Sequence, residues 1–218
     1  MKRKIDLIVF DWDGTLINSA DAIVFSIQAA ASDLGIPQPS NMKARYVIGL
    51  GLQEALDHLF PGLSSQESSK LSERYRYHYL KQDKEISLYK GVPEIIRTLY
   101  KKNLMLAVAT GKSRAGLNRA FKSTGLGGFF HASRCADETL SKPNPAMLLE
   151  LMSQFNVKAS RTLMIGDTTH DLLMAINAGV SRVGVTYGAH SKKDLEILNP
   201  LTCIKSVKKL DLWLNKNI

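Results

Sequence analysis

The sequence contains few cysteines, and they are not spaced for a metal site or a disulfide framework. Only Cys135 and Cys203 occur among 218 residues, and neither belongs to a Cys-x-x-Cys pair or a Cys/His cluster. Structural zinc sites and disulfide-stabilised secreted folds need more cysteines at closer spacing. We therefore predict that both are ordinary thiols or small buried hydrophobic residues, in a protein of a reducing compartment, the cytoplasm.

Long hydrophobic runs are also missing. No apolar segment reaches the length of about 18 residues that is expected of a membrane span. The basic N-terminus, residues 1–4, is followed by apolar residues, but Asp6, Asp11 and Asp13 interrupt them before a signal-peptide core can form. We expect neither secretion nor a membrane partner. The sequence carries no readable oligomerisation signal, and a monomer is expected.

Acidic residues are in the minority. Asp and Glu number 20 against 29 Lys and Arg, which gives a formal net charge of +9. Such a charge attracts either nucleic acids or small anionic substrates. The densest basic stretches, residues 2–4 and 205–209, lie at the termini, and no nucleic-acid-binding motif accompanies them. We expect a small phosphorylated metabolite as the partner, and no nucleic acid.

Apolar runs that end in polar or glycine-containing segments alternate with stretches of helical pattern. The runs are residues 5–10, 104–110, 162–165 and 182–186, and the predicted helices are 93–102, 113–123, 145–155 and 169–178, with a final short strand and helix in 200–218. Strands alternating with helices predict an α/β fold with a doubly wound, mostly parallel sheet. Ligands bind such sheets outside the carboxyl ends of the strands, so one site is expected there.

Residues 16–88 break this alternation because they contain helical pattern without a convincing strand. Residues 20–34, 52–60 and 65–84 each predict a helix, with turn signals at 35–37 and 61–62. We predict a small helical cap domain of residues 16–88. It is inserted into a catalytic core of residues 1–15 and 89–218, and it would cover the strand ends as a lid.

Two aspartates follow the first strand. Asp11 and Asp13 are separated by one residue and start on the same side of an extended chain, although Gly14 predicts an early turn. Two nearby carboxylates can divide labour between a nucleophile or metal ligand and a general acid and base. A turn with solvated aspartates is the competing interpretation of this fragment alone.

Four short motifs resemble those of the haloacid dehalogenase superfamily, in that family's order. They are DWDGTL at residues 11–16, ATGK at 109–112, SKPNP at 141–145 and GDTTHD at 166–171. The resemblance extends over nearly the whole chain and includes the position of the inserted cap. It implies a Rossmann-like core with a helical cap, and a phosphatase that works through an aspartyl-phosphate intermediate.

The resemblance also implies roles for individual residues. Asp11 would attack phosphorus, and Asp13 would protonate the leaving oxygen and then activate water. Thr110 would hold a phosphate oxygen by a hydrogen bond, and Gly111 would let its backbone amide approach the phosphate. Lys142 would neutralise charge at the nucleophile and the phosphate.

A magnesium ion is the implied cofactor. Its ligands would be the Asp11 carboxylate, the Asp13 main-chain carbonyl and Asp167, since Mg²⁺ prefers oxygen ligands. Asp171 lies four residues after Asp167 and shares its face if the helix has begun, so it would orient the ligand shell. His170 is interpreted as incidental, and Gly188 is a weaker local match to a loop near this family's sites.

Other activities of the superfamily fit less well. Dehalogenases lack an aspartate at the position of Asp13, and the phosphonate-cleaving branch needs a cap lysine for which the sequence offers no clear candidate. Sugar phosphomutases that carry a phosphate-gripping cap arginine align approximately with Leu52 here, which favours hydrolysis. A sugar phosphomutase nevertheless stays open as an alternative.

Two further classes also remain as alternatives. A regulatory receiver domain gathers aspartates at strand ends but lacks a long helical insertion after the first strand. A non-catalytic phosphate-binding protein should have a broken motif, whereas all four motifs are intact. Mg²⁺-dependent hydrolysis of a generic aryl phosphate would separate an enzyme from a binder.

The cap leaves the substrate open. The size of the cap and the overall sequence resemble phosphoglycolate phosphatases, so 2-phosphoglycolate is the first candidate substrate. A small sugar phosphate or a nucleotide is nearly as plausible. Six cap residues could contact the distal part of a substrate, but surface or packing roles are the preferred interpretation: Arg45, Tyr46, His58, Arg74, Arg76 and His78. Tyr75, Tyr77 and Tyr79 alternate, suit no single helix face and are given no function.

Overall fold

The computed structural model describes residues 5–83 and 85–218 and has six strands and ten α-helices within them. The strands are β1 (Leu7–Phe10), β2 (Met105–Thr110), β3 (Ala132–Cys135), β4 (Thr162–Gly166), β5 (Ser181–Val185) and β6 (Cys203–Ile204). The helices are α1 (Ala20–Asp33), α2 (Asn41–Tyr46), α3 (Leu52–Leu59), α4 (Ser65–Gln82), α5 (Val92–Lys101), α6 (Arg114–Thr124), α7 (Ala146–Phe155), α8 (Thr169–Asn177), α9 (Lys192–Glu196) and α10 (Val207–Asn217). The predicted N-terminal basic segment and the predicted helix end at residue 84 lie outside the described residues. Among those described, no helix combines the length and apolarity needed to cross a membrane.

The six strands form one parallel sheet in the order β3-β2-β1-β4-β5-β6. Phe10 at the end of β1 lies opposite Val108 of β2 and Ile165 of β4, so the carboxyl ends of these strands are level. The strand order reverses between β1 and β4, which is where ligands bind doubly wound sheets. The predicted α/β fold is confirmed, and its switch point lies beside Asp11.

Alternation along β1 explains why this strand reads as a continuous apolar run. Leu7 and Val9 pack in one cluster with α7 and α8, whereas Ile8 and Phe10 pack in a second cluster with α5, α6 and α10. A strand covered on both faces needs apolar side chains at every position. Each such side chain contributes about 1.5–3 kcal/mol when it is fully buried.

Three elements were not predicted: β3, α2 and α9. β3 is an edge strand that pairs only with β2, and its central residues Ser133 and Arg134 are half-buried. It therefore has no apolar run to reveal it. Helices α2 and α9 have six and five residues, which is too short for a hydrophobic period, and both begin at a capping serine, Ser40 and Ser191.

Helices α1 to α4, which we call the helical unit, share a hydrophobic cluster of their own. Ile27, Leu56 and Leu71 are among its most buried members. The segments that enter and leave the unit run side by side: the Asn18 amide donates to the Ser87 carbonyl at 2.9 Å, and the Tyr89 amide to the Leu16 carbonyl at 3.0 Å. The two chain connections between the sheet and the helical unit are thus adjacent.

Candidate active site

The predicted site residues meet at the carboxyl edge of the sheet. Asp11 follows β1, Thr110 ends β2, and Asp167 follows β4. Lys142 comes from the loop between β3 and α7, and its ammonium contacts both Asp11 and Asp171. Parallel strands bring residues that are distant in sequence to one edge, which is why four separated motifs form one cluster.

Asp11 is fully buried, and its two carboxylate oxygens differ. Oδ1 accepts a hydrogen bond from Lys142 Nζ, whereas Oδ2 is buried without a hydrogen-bond partner among the described residues. The Asp11 amide donates to the Ile165 carbonyl at 2.9 Å, which ties the residue to β4. Burial raises the pKa of Asp11 well above its ordinary value, although the charge of Lys142 opposes the rise. One oxygen is held in place and the other is available to a ligand.

Lys142 is buried between two carboxylates. Its Nζ lies 2.6 Å from Asp171 Oδ1 and also donates to Asp11. Burial would lower the pKa of this lysine, but the charges of Asp11 and Asp171 outweigh burial and raise it above the ordinary value. The side chain therefore supplies a fixed positive charge beside the proposed nucleophile.

Asp171 caps helix α8. Its Oδ2 accepts hydrogen bonds from the Thr168 amide at 3.0 Å and from Thr168 Oγ1 at 2.7 Å, which completes a capping box. Because α8 begins at Thr169, Asp167 precedes the helix. Asp167 and Asp171 were expected to share a helical face if the helix had begun at Asp167, and that condition is not met. They converge because Thr168 caps the helix between them.

Asp167 is held by two donors from different loops. Thr15 Oγ1 donates to its Oδ1 at 2.8 Å, and the Ala189 amide donates to its Oδ2 at 2.7 Å. Burial and the charge of Asp171 raise the pKa of Asp167 to about 7. A Cβ built on Gly14 or on Gly188 would lie 2.2 Å from Asp167 Oδ2, so both positions require glycine.

Three carboxylates at this edge could hold a metal ion. Asp11, Asp167 and Asp171 each offer an oxygen, and these oxygens lie within 4.8 Å of one another. Lys142 is the lysine that contacts two of them, Asp11 and Asp171, so three buried carboxylates carry more negative charge than this lysine balances, which fits a cation. An all-oxygen set suits Mg²⁺. Both oxygens of Asp171 already accept hydrogen bonds, from Lys142 and from Thr168, which agrees with the orienting role named from the sequence.

Asp13 lies beside a second lysine that sequence reasoning missed. Lys112 Nζ is 3.0 Å from Asp13 Oδ1, and Ser19 Oγ donates to the same oxygen at 2.6 Å. Lys112 also donates to the hydroxyl of Tyr79 on α4 at 2.9 Å. Lys112 stood in the second motif, but no sequence pattern pairs it with Asp13. Its contacts link the sheet edge to the helical unit.

Thr110 and Gly111 lie under the helical unit. Thr110 Oγ1 accepts a hydrogen bond from the Lys112 amide at 3.2 Å, which leaves the hydroxyl hydrogen to donate elsewhere. A Cβ on Gly111 would lie 2.2 Å from the Leu50 carbonyl oxygen, so only glycine permits this approach. The Gly51 amide also donates to Ser141 Oγ at 2.8 Å. The segment before α3 therefore covers two of the motif loops.

Two histidines join α8 and the loop after β5 to the helical unit. His170 Nε2 and His190 Nε2 both donate to the Tyr46 carbonyl, at 2.7 and 3.0 Å. The Tyr46 ring stacks on His190 with centroids 5.3 Å apart and planes 8° apart. Burial lowers the pKa of both histidines. The sequence context indicated that His170 is incidental. The structure instead gives it a packing role, because it joins α8 to the helical unit.

Other polar residues of the helical unit pair locally. Arg45 pairs with Asp21, and both Arg74 and His78 pair with Asp33. These contacts agree with their interpretation as surface or packing residues.

The tyrosines of α4 do not all diverge. Tyr75 and Tyr79 stack on one helix face with centroids 5.9 Å apart, while Tyr77 is exposed beside Arg74 and Lys81. The three tyrosines thus suit no single face, as their alternation predicts, but Tyr75 and Tyr79 share one because they are four residues apart.

Comparisons with known proteins agree on one family. The family model described as haloacid dehalogenase-like hydrolase matches residues 8–185. A probable phosphatase, IndB of Dickeya dadantii, is 33% identical over 94% of this chain and 91% of the relative. The phosphoglycolate phosphatase of Mannheimia succiniciproducens is 30% identical over 86% of this chain and 88% of that protein. The pyrophosphatase PpaX of Halalkalibacterium halodurans is 30% identical over 95% of both chains.

Solved structures show the same architecture. A predicted phosphoglycolate phosphatase from Haemophilus somnus superimposes with a TM-score of 0.84 at 26% identity, over 97% of this chain and 98% of that one. A hydrolase from Pseudomonas syringae superimposes with a TM-score of 0.88 at 24% identity, over 97% and 98% of the two chains, and this likeness concerns the fold alone.

Proposed function

The chain belongs to the haloacid dehalogenase-like hydrolases and is a phosphoric monoester hydrolase, and from this premise we propose that Asp11 attacks the phosphorus of a small phosphate monoester. One observation carries the assignment. Asp11 Oδ1 is held by Lys142, while Oδ2 is buried and has no hydrogen-bond partner among the described residues. A carboxylate fixed at one oxygen and available at the other is arranged for attack.

The first step transfers the phosphoryl group to Asp11. The Asp11 carboxylate attacks in line, the bond to the ester oxygen breaks, and Asp13 gives that oxygen its proton. Thr110 donates its hydroxyl hydrogen to a phosphate oxygen, and Lys142 balances the charge around the transferred group. Ser19 orients the Asp13 carboxylate through the hydrogen bond at Oδ1.

The second step returns Asp11 to its starting form. Asp13, now ionised, removes a proton from water as the water attacks the aspartyl phosphate. Inorganic phosphate leaves, and Asp13 is protonated again for the next cycle. Burial of the edge under the helical unit limits access of other water, which suits a reactive acyl phosphate. In this proposal residues 16–88 act as the cap of a core formed by residues 1–15 and 89–218.

The donor set fits Mg²⁺. Asp11 and Asp167 would hold the ion together with the main-chain carbonyl of Asp13. Asp171 would orient these ligands through its hydrogen bonds with Lys142 and Thr168. A bound Mg²⁺ supplies Lewis-acid stabilisation of charge on the phosphate oxygens. Thr15 and the Ala189 amide orient Asp167 for this role.

2-Phosphoglycolate is the proposed substrate. Its support is the 30% identity to the phosphoglycolate phosphatase of Mannheimia succiniciproducens. A similar identity to the pyrophosphatase of Halalkalibacterium halodurans makes inorganic pyrophosphate the second compound to test. The two compounds share a small size and a negative charge on the leaving group.

A phosphate-release screen tests the proposal. Purified protein is assayed with glycolate, sugar, nucleotide and amino-acid phosphates and with pyrophosphate, with Mg²⁺ or with chelator, and specificity constants are compared. We expect activity only with Mg²⁺ and the highest constant for 2-phosphoglycolate. Asp11→Asn should lower kcat by roughly 10³-fold or more, because it removes the nucleophile.

A matched control and a direct readout separate chemistry from folding. Asp57→Asn makes the same change at an exposed position of α3 and should retain activity. Acid-quenched enzyme should carry phosphate on the peptide that contains Asp11, as located by mass spectrometry. Normal turnover by Asp11→Asn would exclude the nucleophile assignment.

A further inference from the structure

Lys112 is a buried cation for which the proposed mechanism has no role. Its ammonium lies 3.0 Å from Asp13 Oδ1 and donates to Tyr79 Oη at 2.9 Å, and its side chain is only 11% exposed. Its backbone is fixed on both sides, because its amide donates to Thr110 Oγ1 at 3.2 Å and its carbonyl accepts from Ala136 at 3.0 Å. The loop after β2 thus holds a positive charge at a defined place.

The two buried lysines of the site lie beside different carboxylates. Lys142 contacts Asp11 and Asp171, so its charge is matched by two carboxylates. Lys112 contacts one carboxylate, Asp13, and a neutral phenol. An ammonium has three donors, and the described residues account for two of those on Lys112. In the proposed first step Asp13 carries a proton and is neutral, so no carboxylate then balances the charge of Lys112. Lys112 therefore has both a donor and charge to offer a further anion.

The position of this charge relative to the reaction follows from Asp13. Asp13 must reach the leaving oxygen to protonate it, so the atoms attached to that oxygen lie near Asp13. Lys112 is the cation in contact with Asp13, whereas Lys142 is next to the nucleophile. A negative group one or two bonds beyond the ester oxygen would come within reach of Lys112.

We propose that Lys112 selects phosphate compounds whose leaving group carries its own negative charge next to the leaving oxygen. A carboxylate of a phosphorylated hydroxy acid and the second phosphate of a pyrophosphate share this chemistry. Tyr79 fixes the ammonium from α4, so recognition of the leaving group involves the helical unit as well as the sheet. This inference rests on the proposed function, since it takes Asp13 as the acid that faces the leaving group.

A matched pair of substrates tests the selection. 2-Phosphoglycolate and 2-hydroxyethyl phosphate both carry the phosphate on a chain of two carbons. They differ at the second carbon, where the first compound has a carboxylate and the second has a neutral hydroxymethyl group. Lys112→Met should lower kcat/KM for 2-phosphoglycolate roughly tenfold or more beyond its effect on 2-hydroxyethyl phosphate, because a charge-assisted hydrogen bond is lost. Lys112→Arg should restore part of the preference. Pyrophosphate and methyl phosphate, compared in the same way, show whether the recognised anion includes phosphate as well as carboxylate.

Lys122→Met is the matched control. It removes one positive charge at an exposed position of α6 and should leave the ratio of the two constants unchanged. If Lys112→Met lowers both constants by the same factor, Lys112 serves only to position Asp13 or the fold, and the proposal is overturned.

A binding measurement decides the matter even without turnover. In the Asp11→Asn background, titration calorimetry with Mg²⁺ should show that Lys112→Met weakens binding of 2-phosphoglycolate roughly tenfold and changes that of 2-hydroxyethyl phosphate much less. Equal affinities with and without Lys112→Met would overturn the inference. Absence of phosphate release by the native chain would count against the proposed function alone, because this comparison needs no catalysis.

Discussion

Lys142 donates a hydrogen bond to Asp171 across 2.6 Å, and both side chains are fully buried. The same ammonium also donates to Asp11. One side chain thus holds the proposed nucleophile and the carboxylate that caps α8. The charge of Lys142 therefore affects both the position of Asp11 and the capping of α8.

Replacement of this lysine should therefore affect both activity and stability. Lys142→Met leaves two carboxylates buried together without a cation, and breaking a buried ion pair costs about 3–5 kcal/mol. We expect kcat/KM to fall by roughly 10²–10³-fold, the size found when one electrostatic donor is removed from an active site. Chemical denaturation and steady-state kinetics measure the two effects.

An exposed lysine, Lys122, provides the control for Lys142→Met. Lys122→Met, also on a helix, should alter the free energy of unfolding by no more than about 0.5 kcal/mol. The loss of unfolding free energy in Lys142→Met should be larger at pH 8 than at pH 5.5. Asp167, whose pKa is raised by burial to about 7 and is lowered by the charge of Lys142, takes up a proton at the lower pH. A loss independent of pH would show that packing of the lysine stem, rather than its charge, is responsible.

Substitution of Gly188 tests whether the loop after β5 holds Asp167 in place. A Cβ at this position would lie 2.2 Å from Asp167 Oδ2, so Gly188→Ala must displace either the loop or the carboxylate. We expect the affinity for Mg²⁺ to fall roughly tenfold or more, the usual cost of disturbing a residue that orients a ligand. Activity titrated with Mg²⁺ gives the apparent affinity.

Gly128→Ala is the matched control for Gly188→Ala. A Cβ there meets no described atom within 4 Å, so the same methyl group should be tolerated. If the two variants bind Mg²⁺ equally well, the glycine after β5 has no part in holding Asp167, and Asp167 is not constrained in the way we describe.

The raised pKa values predict how pH and Mg²⁺ act together. Burial and Asp171 raise the pKa of Asp167 from 3.8 to about 7, and burial raises that of Asp11. A carboxyl group whose pKa is higher in the folded state stabilises the fold below its unfolded pKa, and this contribution is lost as pH rises through the folded value. In chelator, the contribution of Asp167 to stability should therefore decline between about pH 4 and pH 7.

Mg²⁺ should reverse that decline because it binds the ionised carboxylates. The rise in unfolding temperature caused by Mg²⁺ should be larger at pH 8 than at pH 5.5, where protons compete with the ion. Asp167→Asn should reduce both the dependence on pH and the effect of Mg²⁺. A rise that is the same at both pH values would contradict the assignment of Asp167 as a buried carboxyl that must ionise to bind.

The parallel sheet was predictable from sequence because its central strands are apolar throughout. β1 and β4 are buried on both faces, and each is followed by an aspartate, so pattern and polarity agree. β3 was missed since its exposed edge permits Ser133 and Arg134. The family resemblance supplied the roles of Asp11 and Lys142, which composition and periodicity alone leave undecided.

Contacts between the helical unit and the sheet were not predictable. Lys112 meets Tyr79, and His170 meets Tyr46, only because α4 and α2 fold back over the strand ends. No period or local motif relates residues separated by 33 or 124 positions. The capping role of Asp171 was hidden for another reason, since it depended on where α8 begins rather than on the spacing of two acids.

Because the chain enters and leaves the helical unit at adjacent residues, the sequence of this unit can change in evolution without a change in the sheet. Asn18 and Ser87 are hydrogen-bonded neighbours, so the sheet meets the insertion as it would meet a hairpin loop. Residues between these points can be lengthened, shortened or exchanged without altering the register of β1 against β2 and β4. Most of the helical unit can thus change while the phosphoryl-transfer residues of the sheet stay in place. Tyr79, which holds Lys112 from α4, is the position where such a change would reach the leaving group.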